Sequence, residues 1–208
     1  MHRLHSDART NKIKHPNYVT FEYVRQDSGG GGLLTAVHKS LSPVSVSNDT
    51  DEEVLVVEAS IHQKKVRFIN GYGPQEDEKD EIRESFFNRI DQEVKSSKLA
   101  GSMICIEMDA NAKVGGDIIP GDPKEQTKNG KLLEKVIVEN DLVLVNAQDI
   151  CKGVITRYRK TVNSVEKSVL DYFIVCKRFY KLVKSLVIDE ERTYSLTKYS
   201  GIYIYIYI

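Results

Sequence analysis

The stretch Ser102-Met-Ile-Cys-Ile-Glu-Met-Asp109-Ala-Asn111 gives the strongest indication of the fold of this chain. Its apolar run predicts a buried strand, and the run ends abruptly in Asp109 and Asn111. Side chains two positions apart on a strand point to the same side of a sheet. We therefore expect a proton acceptor or metal ligand and an amide donor to face one site together, a pair suited to phosphate ester chemistry.

The composition is that of one globular domain. The chain has 208 residues, 40% of them apolar, and a formal net charge of zero, so no global basic field draws it onto nucleic acid. The charge is uneven, however: residues 151–200 hold eleven Lys and Arg against five Asp and Glu, and residues 49–95 hold seven against thirteen. A basic half of this kind can face a phosphate backbone, although solvated helix faces explain the count equally well.

Cysteine usage and the termini indicate the compartment. Cys105, Cys151 and Cys176 are odd in number and widely spaced, which fits neither a disulfide framework nor a zinc motif. We expect a reducing, intracellular setting. The N-terminus lacks the apolar segment of a signal peptide. No run approaches the roughly 20 apolar residues of a membrane span, so we expect no membrane partner.

Hydrophobic periodicity predicts alternating strands and helices. Strands are predicted at residues 33–38, 54–61, 65–71, 102–109, 142–146 and, as a pair, 154–158 with 169–175. Helices are predicted at residues 77–98, with Ile82, Phe86, Phe87, Ile90 and Val94 on the inner face, and at 132–139 and 178–186. Residues 1–28 offer no apolar run typical of a strand. Strands that occur both in hairpins and between helices favour an α/β, or α+β layered, sheet.

The chain ends in a low-complexity tail. Residues 202–208 alternate perfectly between Ile and Tyr, as an in-frame repeat of two nucleotides would encode. The simplest interpretation is translated simple-repeat DNA rather than a selected structural element. An uncharged strand of aromatic and β-branched residues is nevertheless an aggregation hazard if it is exposed.

Polar side chains also mark the ends of other predicted strands. Tyr72 lies in a Gly-Tyr-Gly-Pro segment, Thr156 lies on one strand, and Asp171 stands within an otherwise apolar one. A carboxylate inside an apolar strand is costly to bury unless something binds it. Structural interpretations remain open, since Asp109 and Asn111 also suit turns and Asp171 could serve a structural hydrogen bond.

Three motifs, which contain Tyr72, Asp109 and Asp171 in chain order, together resemble those of the endonuclease/exonuclease/phosphatase superfamily. More narrowly, they resemble the apurinic-type endonuclease domain of non-LTR retrotransposons. In the second motif Glu107 replaces the first Gly of the family signature and Ala110 replaces its aromatic residue. The resemblance covers about residues 29–200, and the motifs are Gly71-Tyr72-Gly73-Pro74, Met108-Asp109-Ala110-Asn111-Ala112 and Leu170-Asp171-Tyr172-Phe173-Ile174-Val175.

The resemblance implies a fold and a set of roles. The fold would be a two-sheet β-sandwich flanked by helices, and a divalent metal such as Mg²⁺ and a His–Asp pair would act on one phosphodiester. Asp171 would orient the catalytic His, and Asp109 would handle proton transfer. Asn111 would hold the scissile phosphate, Tyr72 would contact it, and Thr156 would lie on the substrate side.

Several family residues have no counterpart in this sequence. The catalytic His of the family follows Ser-Asp in the last strand, whereas every His here precedes Asp109. The metal-binding Glu also lacks a match, so the metal ligands stay unassigned. We expect residues 1–28 to be a remnant segment, residues 29–200 a partial domain incomplete at its N- and C-terminal strands, and residues 201–208 the low-complexity tail.

The predicted function follows from this resemblance. The ancestral activity would be metal-dependent nicking of DNA in the nucleus, in an element that could also encode a reverse transcriptase. We expect this chain itself to be inactive or nearly so, because members of a catalytic unit act together. Two alternatives stay open: a non-catalytic nucleic-acid-binding domain that uses the basic region 151–200, and a retrotransposon fragment without a stable fold.

Overall fold

A computed structural model describes residues 16–24, 32–41, 45–46 and 53–190, together with the backbone of 201–206. Within these residues the helices are α1 (Asp80–Leu99), α2 (Lys128–Glu139) and α3 (Lys177–Tyr180), with a 3₁₀ turn at Val145–Ala147. The strands are β1 (Tyr18–Val24), β2 (Gly32–His38), β3 (Ser45–Val46), β4 (Val54–Ile61), β5 (Lys64–Tyr72), β6 (Met103–Asp109), β7 (Leu142–Leu144), β8 (Cys151–Lys152), β9 (Arg157–Lys160), β10 (Val165–Ser168), β11 (Asp171–Cys176), β12 (Val183–Asp189) and β13 (Gly201–Ile206).

A six-stranded sheet forms the centre of the molecule, in the order β3-β4-β5-β6-β11-β7. Strands β4 and β5 form an antiparallel hairpin, as predicted, while β6 runs parallel to β5. A parallel pair requires a crossover connection, and α1 provides it. Strand β11 then pairs antiparallel with both β6 and β7. The predicted layered α/β fold is therefore confirmed.

Helices α1 and α2 cover one face of the central sheet. Phe86, Phe87, Ile90 and Val94 of α1 pack into a core with sheet residues and α2, as their helical spacing predicted. Burying a side chain such as Phe87 contributes roughly 1.5–3 kcal/mol. Ile82 departs from the prediction, because it is 47% exposed.

Smaller sheets cover the other face. They pair β1 with β2, and β12 with β13 and β8, and a separate hairpin pairs β9 with β10. Phe21 of β1, Leu33 of β2 and Leu186 of β12 share one buried cluster with Leu55 and Cys105 of the central sheet. The second layer of the sandwich is thus present as two parts on one face of the central sheet.

A buried ion network fastens α1 to the sheet. The Arg67 guanidinium of β5 lies 3.4 Å from the Glu93 carboxylate of α1 and 3.0 Å from that of Glu58 on β4. Arg89 approaches the same Glu93 carboxylate at 3.1 Å. Because Glu93 and Arg67 are almost fully buried, each partner compensates a charge that would otherwise be unpaired in the core.

Three local predictions are wrong. Residues 178–186 are not one helix: α3 ends at Tyr180 and β12 begins at Val183. The run that includes Val183, Val187 and Ile188 is β-branched and pairs with two neighbours, which overrides the helical spacing. Residues 154–158 do not pair with 169–175, since β9 pairs with β10 and β11 belongs to the central sheet. Finally, residues 18–24 form a strand that the sequence analysis missed.

The tail takes part in the second layer. Strand β13 pairs antiparallel along β12, from Gly201 opposite Asp189 to Ile206 opposite Val183. The interpretation of the tail as translated simple-repeat DNA stays a prediction, and its alternating aromatic and β-branched residues suit a strand. Among the described residues, none of the helices is long and apolar enough to cross a membrane.

Candidate functional site

Three of the predicted site residues lie in a row across one end of the central sheet. Tyr72 is the last residue of β5, Asp109 is the last of β6, and Asp171 is the first of β11. The strand register sets Tyr72 opposite Asp109 and Asp109 opposite Asp171. Directly opposed residues project from the same face, on strands about 4.8 Å apart. Their side chains can therefore meet one substrate group.

The pKa values of the two carboxylates of this row are both raised. Burial, followed by the negative charge of Asp109, raises the pKa of Asp171 from its ordinary 3.8 to about 7. Burial also raises the pKa of Asp109. The Arg157 guanidinium opposes both increases. The pair can therefore hold a proton near neutral pH, which is the property required of a general acid or base.

Thr156 supports Asp171 directly. It is only 3% exposed. Its Oγ1 accepts hydrogen bonds from the backbone N–H groups of Leu170 and Asp171, at 2.9 and 3.1 Å. The same hydroxyl bonds to the Asp171 carboxyl group and opposes the rise of its pKa. Thr156, predicted as a substrate-side residue, thus sets the start of β11 in this structure.

Asn111 follows the end of β6 in a left-handed turn, with φ of +44°. Its backbone N–H donates to Asp109 Oδ1 at 3.1 Å, and its side-chain amide donates to the Gly73 carbonyl at 2.8 Å. Gly73 in turn donates to the Asp109 carbonyl at 2.7 Å. A Cβ at Gly73 would collide with the Ala110 carbonyl, so only glycine fits there. Asn111 therefore joins the Asp109 and Tyr72 segments instead of continuing the strand.

A basic hairpin, β9–β10, leaves the central sheet beside the acid pair. Its first residue, Arg157, is exposed and close enough to stabilise both ionised carboxylates. Glu190 fixes the base of this hairpin. Its carboxylate accepts from the N–H groups of Val154 and Ile155, at 2.6 and 2.9 Å, and from the Tyr158 hydroxyl at 3.2 Å. The hairpin thus has a defined orientation relative to Asp171.

The sequence analysis missed several supporting residues. Asn146, after β7, donates to the Asp171 carbonyl at 3.1 Å and accepts from the Phe173 N–H at 2.8 Å, which fixes the β11 backbone. Arg157 and Glu190 were likewise not singled out. Asn146 follows an apolar strand in the same way as Asp109 does, so that pattern could have identified it. Arg157 and Glu190 carry no such signal, because surface charges are frequent.

A cavity of about 840 Å³ opens beside Tyr72, between β4 and α1. Its lining includes the carboxylates of Glu53, Glu78 and Glu81, together with the apolar side chain of Ile82. Carboxylates at a rim repel anionic ligands. Among the described residues, Arg89 is the one cation of this lining, so the three carboxylates outnumber it and the cavity disfavours an anionic substrate.

Within the described residues, the row offers a cation two carboxylates, those of Asp109 and Asp171, but no histidine contacts Asp171. His38 hydrogen-bonds to Ser40, and His62 lies in the β4–β5 turn at the far end of β5 from Tyr72; neither contacts Asp171. No group of three or more His, Cys, Asp or Glu side chains converges within the described ranges. Mg²⁺ commonly uses only one or two carboxylates together with water and substrate phosphate, so Asp109 and Asp171 fit such an ion.

No protein-family model matches the sequence, and no curated protein matches it. Solved structures do match. The endonuclease domain of TRAS1, a telomere-specific non-LTR retrotransposon, is 21% identical with a TM-score of 0.72, over 92% of this chain and 80% of that one. The Neisseria 3′ phosphatase NExo, solved with a product DNA hairpin, is 13% identical with a TM-score of 0.66, over 91% and 80%.

A third match extends the set. D. rerio TDP2, solved with a single-strand DNA product, is 13% identical with a TM-score of 0.55, over 90% of this chain and 76% of that one. Similarities at these identities establish the fold. The chain has the fold of the endonuclease/exonuclease/phosphatase proteins, which confirms the predicted fold relationship.

Proposed function

We propose that this chain is a retroelement-type endonuclease domain whose site acts on DNA phosphodiesters with the help of Mg²⁺. The row of Tyr72, Asp109 and Asp171 beside Arg157 is the observation that carries the proposal. It combines a proton-holding acid pair, a phenol and a cation at one end of the central sheet. By the resemblance, the ancestral domain would work in the nucleus, in an element that could also encode a reverse transcriptase.

Each residue of the row has a role that its contacts support. Asp109 takes a proton from the attacking water or returns one to the leaving oxygen. The Tyr72 hydroxyl donates to a phosphate oxygen. Asn111 uses one amide N–H to hold Gly73, and it donates the second to the same phosphate. Asp109 and Asp171 would hold Mg²⁺, which would supply positive charge against the negative charge that develops on the phosphate oxygens.

We expect nicking by this chain to be weak. In the family resemblance Asp171 orients a histidine, and neither described histidine contacts Asp171. Removing one member of a catalytic unit costs nearly as much rate as removing all of it, typically a factor of ~10⁴ or more. The remaining acid pair then supports binding and proton transfer without the full rate.

A plasmid-nicking assay tests the proposal. Supercoiled plasmid is incubated with Mg²⁺ and the wild-type chain, Asp109→Ala, or Asp77→Asn, an exposed carboxylate outside the row. Slow conversion to open circles that requires Mg²⁺, disappears in Asp109→Ala and persists in Asp77→Asn supports the proposal. Equal nicking by Asp109→Ala would refute it, and robust nicking lost in that variant would refute the expected weakness.

A second candidate function is DNA binding without cleavage, and the basic hairpin favours it. Arg157, Arg159, Lys160 and Lys167 lie on the two strands β9 and β10. Four phosphate contacts predict a slope of about −3.6 for log affinity against log salt, roughly a 10²-fold loss over a fourfold increase in salt. Arg159→Ala should reduce the slope by about 1. Salt-independent binding would contradict this function.

The third possibility is a fragment that lacks a stable fold. The continuous buried clusters on both faces of the central sheet argue for a cooperative domain. A single sharp thermal transition, followed by circular dichroism at two wavelengths, would exclude the fragment. A broad, non-coincident transition with aggregation would instead favour it.

A further inference from the structure

One buried side chain contacts both segments that carry the proposed site. Asn129, near the start of α2, has no exposed surface. Its side-chain amide donates to the Pro74 carbonyl at 2.9 Å and to the Asn111 carbonyl at 3.1 Å. Pro74 lies two residues after Tyr72, and Asn111 lies two residues after Asp109. A single NH₂ group therefore connects the two turns that follow β5 and β6.

We infer that Asn129 is a positioning residue, which holds the Tyr72 and Asp109 segments in the one relative geometry that the site requires. What that geometry accomplishes rests on the proposed function; the positioning itself rests on the contacts. Two hydrogen bonds already join these segments: Asn111 donates to Gly73, and Gly73 donates to Asp109. Asn129 adds a third, to the Pro74 carbonyl. These bonds close a ring across the end of the sheet.

The surroundings of Asn129 keep it in place. The N-cap residue of α2, Thr127, exchanges two bonds with Lys113: Thr127 N–H donates to the Lys113 carbonyl at 2.9 Å, and Lys113 N–H donates to Thr127 Oγ1 at 3.2 Å. Gly130 packs so closely on the Lys113 carbonyl that a Cβ could not fit. The start of α2 is thus fixed against the chain that follows Asn111.

Glu76 fastens the same helix start to the Tyr72 side. Its Oε1 accepts from the backbone N–H groups of Lys128 and Asn129, at 2.9 and 3.3 Å. Such a carboxylate also favours the positive end of the helix dipole. Both site segments therefore attach to the first turn of α2, and Asn129 is the side chain that reaches both.

The side-chain oxygen of Asn129 indicates that the residue does more than fill space. Its Oδ1 is buried and has no hydrogen-bond partner among the described residues. An unpaired buried acceptor is unfavourable, so this oxygen does not explain why an amide occupies the position. The feature that an amide alone supplies here is the pair of N–H donors, and both are directed at the site segments.

A matched control lies on the same helix. Asn140, the C-cap of α2, is 2% exposed, and its side-chain amide donates to Asp91 Oδ1 at 2.7 Å and to the Val136 carbonyl at 3.0 Å. Asn140→Leu likewise removes two donors of a buried amide, at the opposite end of the helix, and it also removes the bond that Asn140 Oδ1 accepts from Lys98 Nζ at 3.2 Å. An effect that arises only from a weaker α2 will appear in both variants.

The test compares Asn129→Leu, Asn140→Leu and wild type in the full chain. Amide hydrogen exchange is measured at Gly73 and Asn111, whose N–H groups donate to the Asp109 carbonyl and carboxylate. We expect exchange at these two amides to accelerate at least about tenfold in Asn129→Leu, beyond any change in global stability. In Asn140→Leu we expect them to follow global stability only. Equal behaviour in the two variants, or no local change in Asn129→Leu, would overturn the inference.

A second measurement separates the inference from the proposed function. Affinity for a fluorescein-labelled DNA duplex should fall about tenfold in Asn129→Leu and less than about twofold in Asn140→Leu, because misplaced contact groups lose binding energy. If local exchange changes as expected and wild type binds no DNA, the positioning role stands and the proposed function fails. If Asn129→Leu does not fold, Asn129→Ser, which keeps one donor, should show an intermediate exchange effect; wild-type exchange in that variant would overturn the inference.

Discussion

Replacing Asp171 by Asn should stabilise the folded chain at pH 8 and change little at pH 4. In the native state burial and the Asp109 charge hold the pKa of Asp171 at about 7, against 3.8 ordinarily. Below pH 3.8 the group is protonated in both states and costs nothing. As pH rises toward 7 the unfolded chain releases this proton while the folded chain retains it, so the free energy of unfolding falls.

The magnitude follows from the difference of about 3 pKa units. At about 1.36 kcal/mol per unit, the ionised Asp171 costs about 4 kcal/mol above pH 7. Asn cannot ionise and keeps nearly the same shape. The stability advantage of Asp171→Asn should therefore grow by about 3 kcal/mol between pH 5 and pH 8. Part of this gain in stability arises at Asp109, because Asp109 ionises more easily beside a neutral side chain than beside an ionised Asp171.

Urea denaturation in EDTA, at half-unit pH steps from 5 to 8, measures the effect. Asp77→Asn is the control, because that carboxylate is exposed and lies outside the site. Its stability should follow the wild type at every pH. A difference between Asp171→Asn and wild type that does not vary with pH would refute the reasoning, since the cost would then not arise from ionisation.

Three further substitutions or deletions test the packing around the site. Gly73→Ala should cost about 1–3 kcal/mol in urea denaturation, because its methyl group collides with the Ala110 carbonyl. Glu93→Ala should cost about 3–5 kcal/mol in the same assay, because Arg67 is left buried with one partner fewer. Removing residues 201–208 should lower the melting temperature by several degrees in calorimetry, because β12 loses its antiparallel partner.

Each of these has a result that would contradict it. Glu84→Ala, an exposed carboxylate on the same helix as Glu93, should change stability by less than about 0.5 kcal/mol, and an equal loss in both variants would count against the buried ion network. Wild-type stability of Gly73→Ala would mean that the Ala110 segment can move. An unchanged or higher melting temperature without residues 201–208 would contradict a stabilising β13.

Local pattern predicted the elements whose apolar residues form a continuous run or recur at a regular spacing. Strands β4, β5 and β6 and helix α1 were all anticipated, because their apolar residues follow the period of one structure. The hydrophobic pattern gave wrong predictions where pairing with other strands determines the structure. Residues 183–186, the end of the predicted helix 178–186, belong to β12, because β8 and β13 pair with that strand on its two sides. Residues 18–24 became a strand only through pairing with β2.

The site was predictable to the same degree. Tyr72, Asp109 and Asp171 stand out because each polar side chain ends or interrupts an apolar strand. Asn129 does not stand out, since a polar residue near a helix start is ordinary. Its importance depends on two carbonyls that lie 18 and 55 residues away in sequence. No local pattern carries information about such partners.

The sequence alone determined which chemistry is available: carboxylates, an amide and a phenol at strand ends, in an order that resembles one fold. Periodicity and residue type are local properties, so a single chain displays them. The tertiary structure decided how these groups act together. The register that sets Asp109 between Tyr72 and Asp171, the burial that raises the pKa values of Asp109 and Asp171, and the contacts of Asn129 and Arg157 arise only when distant segments pack, because charge interaction and desolvation depend on distance in space.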